Sequence, residues 1–157
     1  MNEKGTKKMV SRPVAAGAVA LLAALAILSS GCGEEPGISW EKDIDAALAR
    51  AEELQKPIMV DFTATWCPPC HAMEDSTFSD PAVIEKSAAF IPVRIDVDEQ
   101  REVAVAYGGN ARKYGGVGIP NILFLDADGE KLKHIVGYHG PERFAAVIDT
   151  VLAMLQE

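Results

Sequence analysis

The chain predicts an α/β fold, with a mixed central sheet flanked by helices. Its early strands are expected to run parallel and its last two to form an antiparallel hairpin. Three observations predict this. Segments of helical and strand periodicity follow one another in the order α-β-α-β-α-β-β-α. An Asp128-Gly129 turn joins the last two strands. Cys67 and Cys70 stand where the first strand passes into a helix, the end of an open α/β sheet at which chemistry is usually placed.

Residues 1–31 read as an address segment. Lys4, Lys7, Lys8 and Arg12 give a basic start, and Val14 to Leu28 is an unbroken run of small apolar residues, too short to span a bilayer as a helix. The run ends in "LSSGC", which resembles a bacterial lipoprotein signal, with Ser29 where leucine is usual. That resemblance implies a lipidated Cys32 as the first mature residue and residues 32–38 as a tether. An ordinary cleaved signal peptide and an uncleaved anchor are the alternatives. All three put residues 39–157, one domain by length, outside the cytoplasm.

The elements of that domain follow in order. Trp40, Ile44, Ala47, Leu48, Ala51 and Leu54 recur at helical spacing after Ser39, a candidate N-cap, and Lys56-Pro57 stops the helix. "IMVDFTA" is a strand with one anomalous charge, Asp61. "PPCHAMEDSTF" suits a helix, because proline is tolerated in a first turn. Asp80-Pro81 starts a second helical piece ending near Ala88, and "FIPVRIDVD" is the next strand. Arg101 to Tyr114 is helical with an interruption at Gly108-Gly109. "NILFLDA" and "KLKHIVGY" are the hairpin strands. Phe144, Val147, Ile148, Val151, Leu152 and Leu155 complete a final helix over 141–155.

Charge narrows the function classes. The whole chain carries 15 Lys/Arg against 23 Asp/Glu, a net of −8, and removal of residues 1–31 takes away four bases and only one acid. Nucleic-acid binding is disfavoured, because phosphate contact needs a basic face. The acidity is read as solubility.

"WCPPCH", residues 66–71, supports three chemistries. Cys-x-x-Cys is redox-pair spacing, Cys-x-x-Cys-His is the spacing of covalent haem attachment, and thiolates beside an imidazole suggest a metal. The redox reading wants a nucleophilic thiol at a helix N-terminus, where unpaired N–H groups favour thiolate; Cys67 is there, with Cys70 one turn in and expected to be more buried. It also wants a backbone edge near the sulfur for substrate. "GVGIPN" offers one, with Pro120 expected cis and the Ile119 backbone exposed. A haem protein would need His71 free for iron and a chain that wraps a large cofactor, whereas His71 falls within a helix fed by a strand. A closed zinc site wants four ligands, and only Cys67, Cys70 and His71 cluster. No metal and no cofactor beyond the cysteine pair is expected. His134 and His139 are expected at the surface.

These residues carry a resemblance. "VDFTATWCPPC" and "GIPNILFLDADG" resemble the thioredoxin superfamily, and "KPIMVDFTATWCPPCHAMEDSTFSDP" is similar to the C-terminal thioredoxin-like domain of DsbD-type thiol:disulfide interchange proteins. It runs from about Trp40 to Leu155, departs in the Pro68-Pro69 dipeptide, and lacks that family's membrane-embedded domain. It implies a thioredoxin fold and a thiol:disulfide oxidoreductase acting through a Cys67/Cys70 dithiol–disulfide cycle. Protein disulfides of the cell envelope would be its substrates, and a membrane electron-donor protein of the DsbD/CcdA type its source of electrons.

Individual roles follow. Asp61 is expected as a buried acid beneath the pair, accepting the Cys70 proton; the alternative is a strand-end carboxylate facing water. Glu74, four residues after Cys70, lies on the same helical face, and the resemblance implies a part in setting thiol acidity; an ordinary solvated helix acid fits equally well. Trp66, Pro68, Pro69, Ile119 and Pro120 are expected to form the substrate surface, and Met73 and Phe78 to be core. Pro68 and Pro69 lack N–H groups, and anions at Asp61 and Glu74 would disfavour a thiolate beside them. Both effects predict a reductant. A disulfide oxidase or isomerase is the rival within the class.

Overall fold

The structure, a computed structural model, describes residues 37–156. The expected signal segment at 1–31, the expected lipidation site Cys32 and the expected tether as far as residue 36 lie outside the described residues. Four strands, β1 (Ile58–Thr63), β2 (Ile91–Asp96), β3 (Asn121–Leu125) and β4 (Lys131–Val136), form one sheet in the order β2-β1-β3-β4. β1 and β2 are parallel, as the helical crossover between them requires, and β3 and β4 form the expected antiparallel hairpin. β3 also runs antiparallel to β1, although helical segments separate the two in sequence.

Five α-helices cover this sheet: α1 (Ile44–Leu54), α2 (Pro68–Ser76), α3 (Pro81–Ser87), α4 (Arg101–Ala106) and α5 (Pro141–Met154). The period-2 alternation of the strands divides the core in two. Val60, Phe62, Val93, Ile95 and Leu123 pack on one face with Ala47 and Ala51 of α1. Met59, Ile122 and Phe124 pack on the other with Met73 of α2, Val83 of α3 and Phe144 and Ile148 of α5. Met73 and Phe78 are core, as expected. Full burial of such side chains contributes about 1.5–3 kcal/mol each.

Three sequence expectations are corrected. The first helix begins at Ile44 instead of Trp40, and Asp43 caps it in place of Ser39, its Oδ1 accepting from the N–H groups of Asp45 and Ala46 at 3.0 and 3.1 Å. Glu41 instead lies along the outer edge of β2: its N–H donates to Pro92 O at 2.9 Å, and its carbonyl accepts from Arg94 N–H at 2.8 Å. Covering those edge groups outweighs the helical spacing of Trp40. The interruption at Gly108-Gly109 is real and has a cause. Gly108 adopts φ 70°, and a Cβ on Gly109 would meet the Phe62 ring at 2.2 Å. Beyond it only a 3₁₀ turn, Arg112–Tyr114, remains of the expected helix.

The histidine expectation also fails. His139 is buried; its Nδ1–H donates to Gly137 O at 2.9 Å, and its own carbonyl accepts from the Thr77 hydroxyl at 2.7 Å. His134 is half-buried on β4 against the Asn121 side chain. Burial, then the nearby Lys131 charge, lowers its pKa.

Candidate active site

β1 ends at Thr63, and Cys67 is the N-cap of α2, so the strand-to-helix junction predicted for the cysteines is present. The two sulfurs are bonded to each other, with Cα atoms 5.3 Å apart. Cys67 is 2% and Cys70 6% exposed, which corrects the expectation that Cys70 would be the more buried. Both cysteines are buried in this disulfide-bonded form.

The first turn of α2 leaves the cysteines few donors. Pro68 and Pro69 occupy its first two positions and have no N–H to offer. The next N–H, that of Cys70, donates to Cys67 O at 3.0 Å, and that of His71 reaches the same oxygen at 3.2 Å. Every backbone N–H of this helix terminus is therefore absent or already engaged, unlike an ordinary helix N-terminus. His71 Nε2 is bonded to Thr65 O at 2.8 Å, which occupies the nitrogen that a haem iron would need.

Behind the pair lies a cation flanked by two acids. The parallel register of β1 and β2 sets Asp61 opposite Arg94 on the sheet face that α2 covers. Arg94 Nε donates to Asp61 Oδ2 at 2.9 Å, and Arg94 Nη2 is paired with Glu74 of α2. The guanidinium is stacked over Trp40, 4.3 Å from its ring centre. Asp61 is 2% exposed, and its other oxygen, Oδ1, has no hydrogen-bond partner. Burial pushes its pKa up to about 6, against the lowering pull of Arg94, with Glu74 adding a smaller upward push. Cys70, Glu74 and Arg94 line one crevice of about 190 Å³ together with Thr63, Thr65 and Asp96.

Asp61 is thus the buried acid that the sequence suggested, but it is not an unopposed anion. Neither is Glu74, which is half-exposed and paired with the same guanidinium. The sequence reading missed Arg94. A signal was present, since a lone arginine interrupts the apolar run from Ile91 to Ile95, alternating with Ile91, Val93 and Ile95.

On the other flank Trp66 is tied down. Its indole N–H donates to Asp98, which also accepts from the Tyr114 hydroxyl and lies 3.2 Å from Lys113 Nζ. The Lys113 ammonium sits 3.7 Å from the centre of the Trp66 ring. These hydrogen bonds, Tyr114 first and Trp66 second, lower the Asp98 pKa. Asp98 also went unnoticed in the sequence, where it is one acid among several after β2.

The Ile119–Pro120 peptide is cis, as expected. Pro120 is buried, Ile119 half-buried, and among the described residues neither the N–H nor the carbonyl of Ile119 has a backbone partner. Asn121, the next residue and fully buried, donates to Gly118 O and Gly108 O at 3.3 Å each and thereby braces the loop. Trp66 and Ile119 border one groove, whereas Pro68 and Pro69 are exposed on the first turn of α2.

Comparison with known proteins agrees with this geometry. A family model described as a thioredoxin-like domain matches residues 44–152. The thiol:disulfide interchange protein DsbD of Pectobacterium atrosepticum is 33% identical over 106 residues, which cover 66% of this chain and 17% of that protein. DsbD of Campylobacter jejuni is 35% identical over 83 residues, 53% of this chain and 14% of that protein. The chain therefore spans less than a fifth of the length of these relatives. Among solved structures, a thioredoxin from Thermus thermophilus superimposes with a TM-score of 0.59 at 28% identity, covering 73% of this chain and 88% of that one. The C-terminal domain of Neisseria meningitidis DsbD in its oxidised form gives 0.55 at 23% identity, covering 71% and 98%, and so shares the fold.

Proposed function

The chain belongs to the thioredoxin-like domain family, as a thiol:disulfide oxidoreductase, and from that premise we propose that it is a membrane-tethered reductant of protein disulfides in the bacterial cell envelope. In the reduced protein the Cys67 thiolate attacks one sulfur of a substrate disulfide. The S–S bond breaks, the other substrate sulfur leaves as a thiolate, and a mixed disulfide forms on Cys67. Cys70 then gives its proton to Asp61 and attacks Cys67 Sγ. The second substrate sulfur is released, and the Cys67–Cys70 bond of this structure is regenerated. Two electrons have passed to the substrate. A membrane electron-donor protein of the DsbD/CcdA type would return them; recipients would include apocytochrome c cysteines and other oxidised envelope proteins.

The observation that carries the direction is the lack of free donors at the start of α2. A thiolate on Cys67 finds no backbone N–H there, so the reduced form is stabilised little and the potential falls toward the reducing end. Asp61 and Glu74 add little to this direction, because Arg94 lies between them and offsets their charge. An oxidase or isomerase would want a better stabilised thiolate. The Cys32 lipid rests on the signal-like segment alone, and the envelope location on that segment together with the DsbD relatives.

Trapping tests this reading. A Cys70→Ala variant expressed in the native host should accumulate mixed disulfides through Cys67 with extracytoplasmic proteins, identified by mass spectrometry. Capture of none, or capture only of cytoplasmic proteins, would contradict it.

A further inference from the structure

The groove of about 320 Å³ between Trp66 and the cis-proline loop has a charge opposite to that of the protein. Its walls are apolar, with Trp66, Val117 and Val136 all 43% exposed or more. Its charged lining residues are Arg112 and Lys113, and no acid lines it. The Lys113 charge is offset by Asp98 at 3.2 Å. Arg112 has no acidic partner among the described residues. It is held by its Nε–H donating to Val117 O at 3.3 Å, and its side chain lies against Gly118, 3.3 Å from where a Cβ would stand. One uncompensated cation is thus fixed beside Ile119, the residue with unpaired backbone groups, on a chain whose net charge is −8.

From this we infer that the groove selects extended disulfide-bearing segments that carry an acidic side chain next to the attacked cysteine. The inference deepens the reductase reading and rests on it. An extended segment pairing with the Ile119 backbone projects alternate side chains to either side, and one row passes the Arg112 guanidinium. The cation is at the rim and solvated, so it acts mainly on association rate and partner choice and is screened by salt. A basic segment meets repulsion from Arg112; elsewhere the acidic surface repels acidic proteins, which leaves this groove as the place where they can approach.

The probes are three synthetic peptides with the same internal disulfide and either two glutamates, two glutamines or two lysines beside the first cysteine. Each rate of reduction by the fully reduced protein is divided by the rate of the same peptide with dithiothreitol, which removes the peptide's own reactivity. At low salt the glutamate peptide should be reduced about fivefold faster than the glutamine peptide and the lysine peptide slower, with the spread shrinking in 0.5 M salt. Arg112→Glu should invert the order, and the milder Arg112→Gln should flatten it. Equal normalised rates, or an order that survives Arg112→Glu, would overturn the inference while leaving the reductase reading intact. Failure to reduce any of the three would overturn both.

Discussion

Two carboxylates flank the cysteine pair, each gathered around a cation, and they differ in nearly everything that burial controls. Asp61 sits in the central strand, 2% exposed, with one oxygen on Arg94 and the other unpartnered, and its pKa is raised to about 6. Asp98 sits at the surface after β2, satisfied by an indole, a phenol and an ammonium, and its pKa is lowered. The shifts are opposite because desolvation outweighs the pull of Arg94 at Asp61, whereas at Asp98 the hydrogen bonds from Tyr114 and Trp66 outweigh desolvation. The difference divides the labour. A carboxyl that titrates near neutrality can accept a thiol proton and return it, whereas one that stays ionised can only hold other groups in place. Asp61 is suited to the proposed chemistry, and Asp98 to holding the surface around Trp66 in shape.

Asp61→Asn probes the buried side and should have the largest effect. Without an acceptor for the Cys70 proton, release of reduced substrate from the mixed disulfide should slow by about 100-fold near pH 7, measured by quench-flow with thiol trapping. Stability gives a second readout. The Asp61 proton is held more tightly in the folded state, with a pKa of about 6 against an ordinary 3.8. The folded protein therefore carries an extra proton between those values. Stability from this group is fully present below about pH 4 and is lost as the pH rises through 6, by roughly 3 kcal/mol. Denaturation curves should show that fall in the parent and not in Asp61→Asn; parallel pH profiles would mean that Asp61 is not the titrating group.

Arg94→Gln comes next. It removes the two influences that hold the Asp61 pKa down, so the pH midpoint of the resolution step should move upward by about 1–3 units. Arg94→Lys should recover part of the shift. Glu74→Gln should move that midpoint downward, and by less than Arg94→Gln moves it upward, because Glu74 gives Asp61 only the smaller upward push; a shift as large as that of Arg94→Gln would mean that Glu74 governs Asp61. The smallest effect belongs to the exposed side. Asp98→Asn should raise KM for protein substrates roughly threefold by loosening Trp66, with kcat and its pH profile unchanged. A shifted pH profile in this variant would erase the distinction between the two carboxylates.

Much of this was legible in the chain itself, for physical reasons that differ from residue to residue. The cysteine junction, the cis Ile119–Pro120 bond and the Asp128-Gly129 hairpin are local, so short-range backbone chemistry announces them. Asp61 stood out because a charge in an apolar strand is costly. Arg94 did not, since its importance comes from a strand register that pairs residues 33 apart in sequence. Asp98 gathers its partners from Trp66 and from a loop beyond α4, and no periodicity encodes that meeting. Trp40 misled because its helical spacing is genuine, yet its ring packs against Phe78 and beneath Arg94, and the next residue, Glu41, pairs along β2 instead of entering α1.

Cys67 and Cys70 should cycle as a reducing couple, because the helix start beside them leaves a thiolate without donors. Equilibration of the purified protein against glutathione or a reference thioredoxin, read as the fraction of bridged cysteines, measures this directly. A midpoint near the thioredoxin value of about −270 mV is the predicted result. A midpoint near the strongly oxidising value of about −120 mV, or a pair that does not cycle at all, would contradict it.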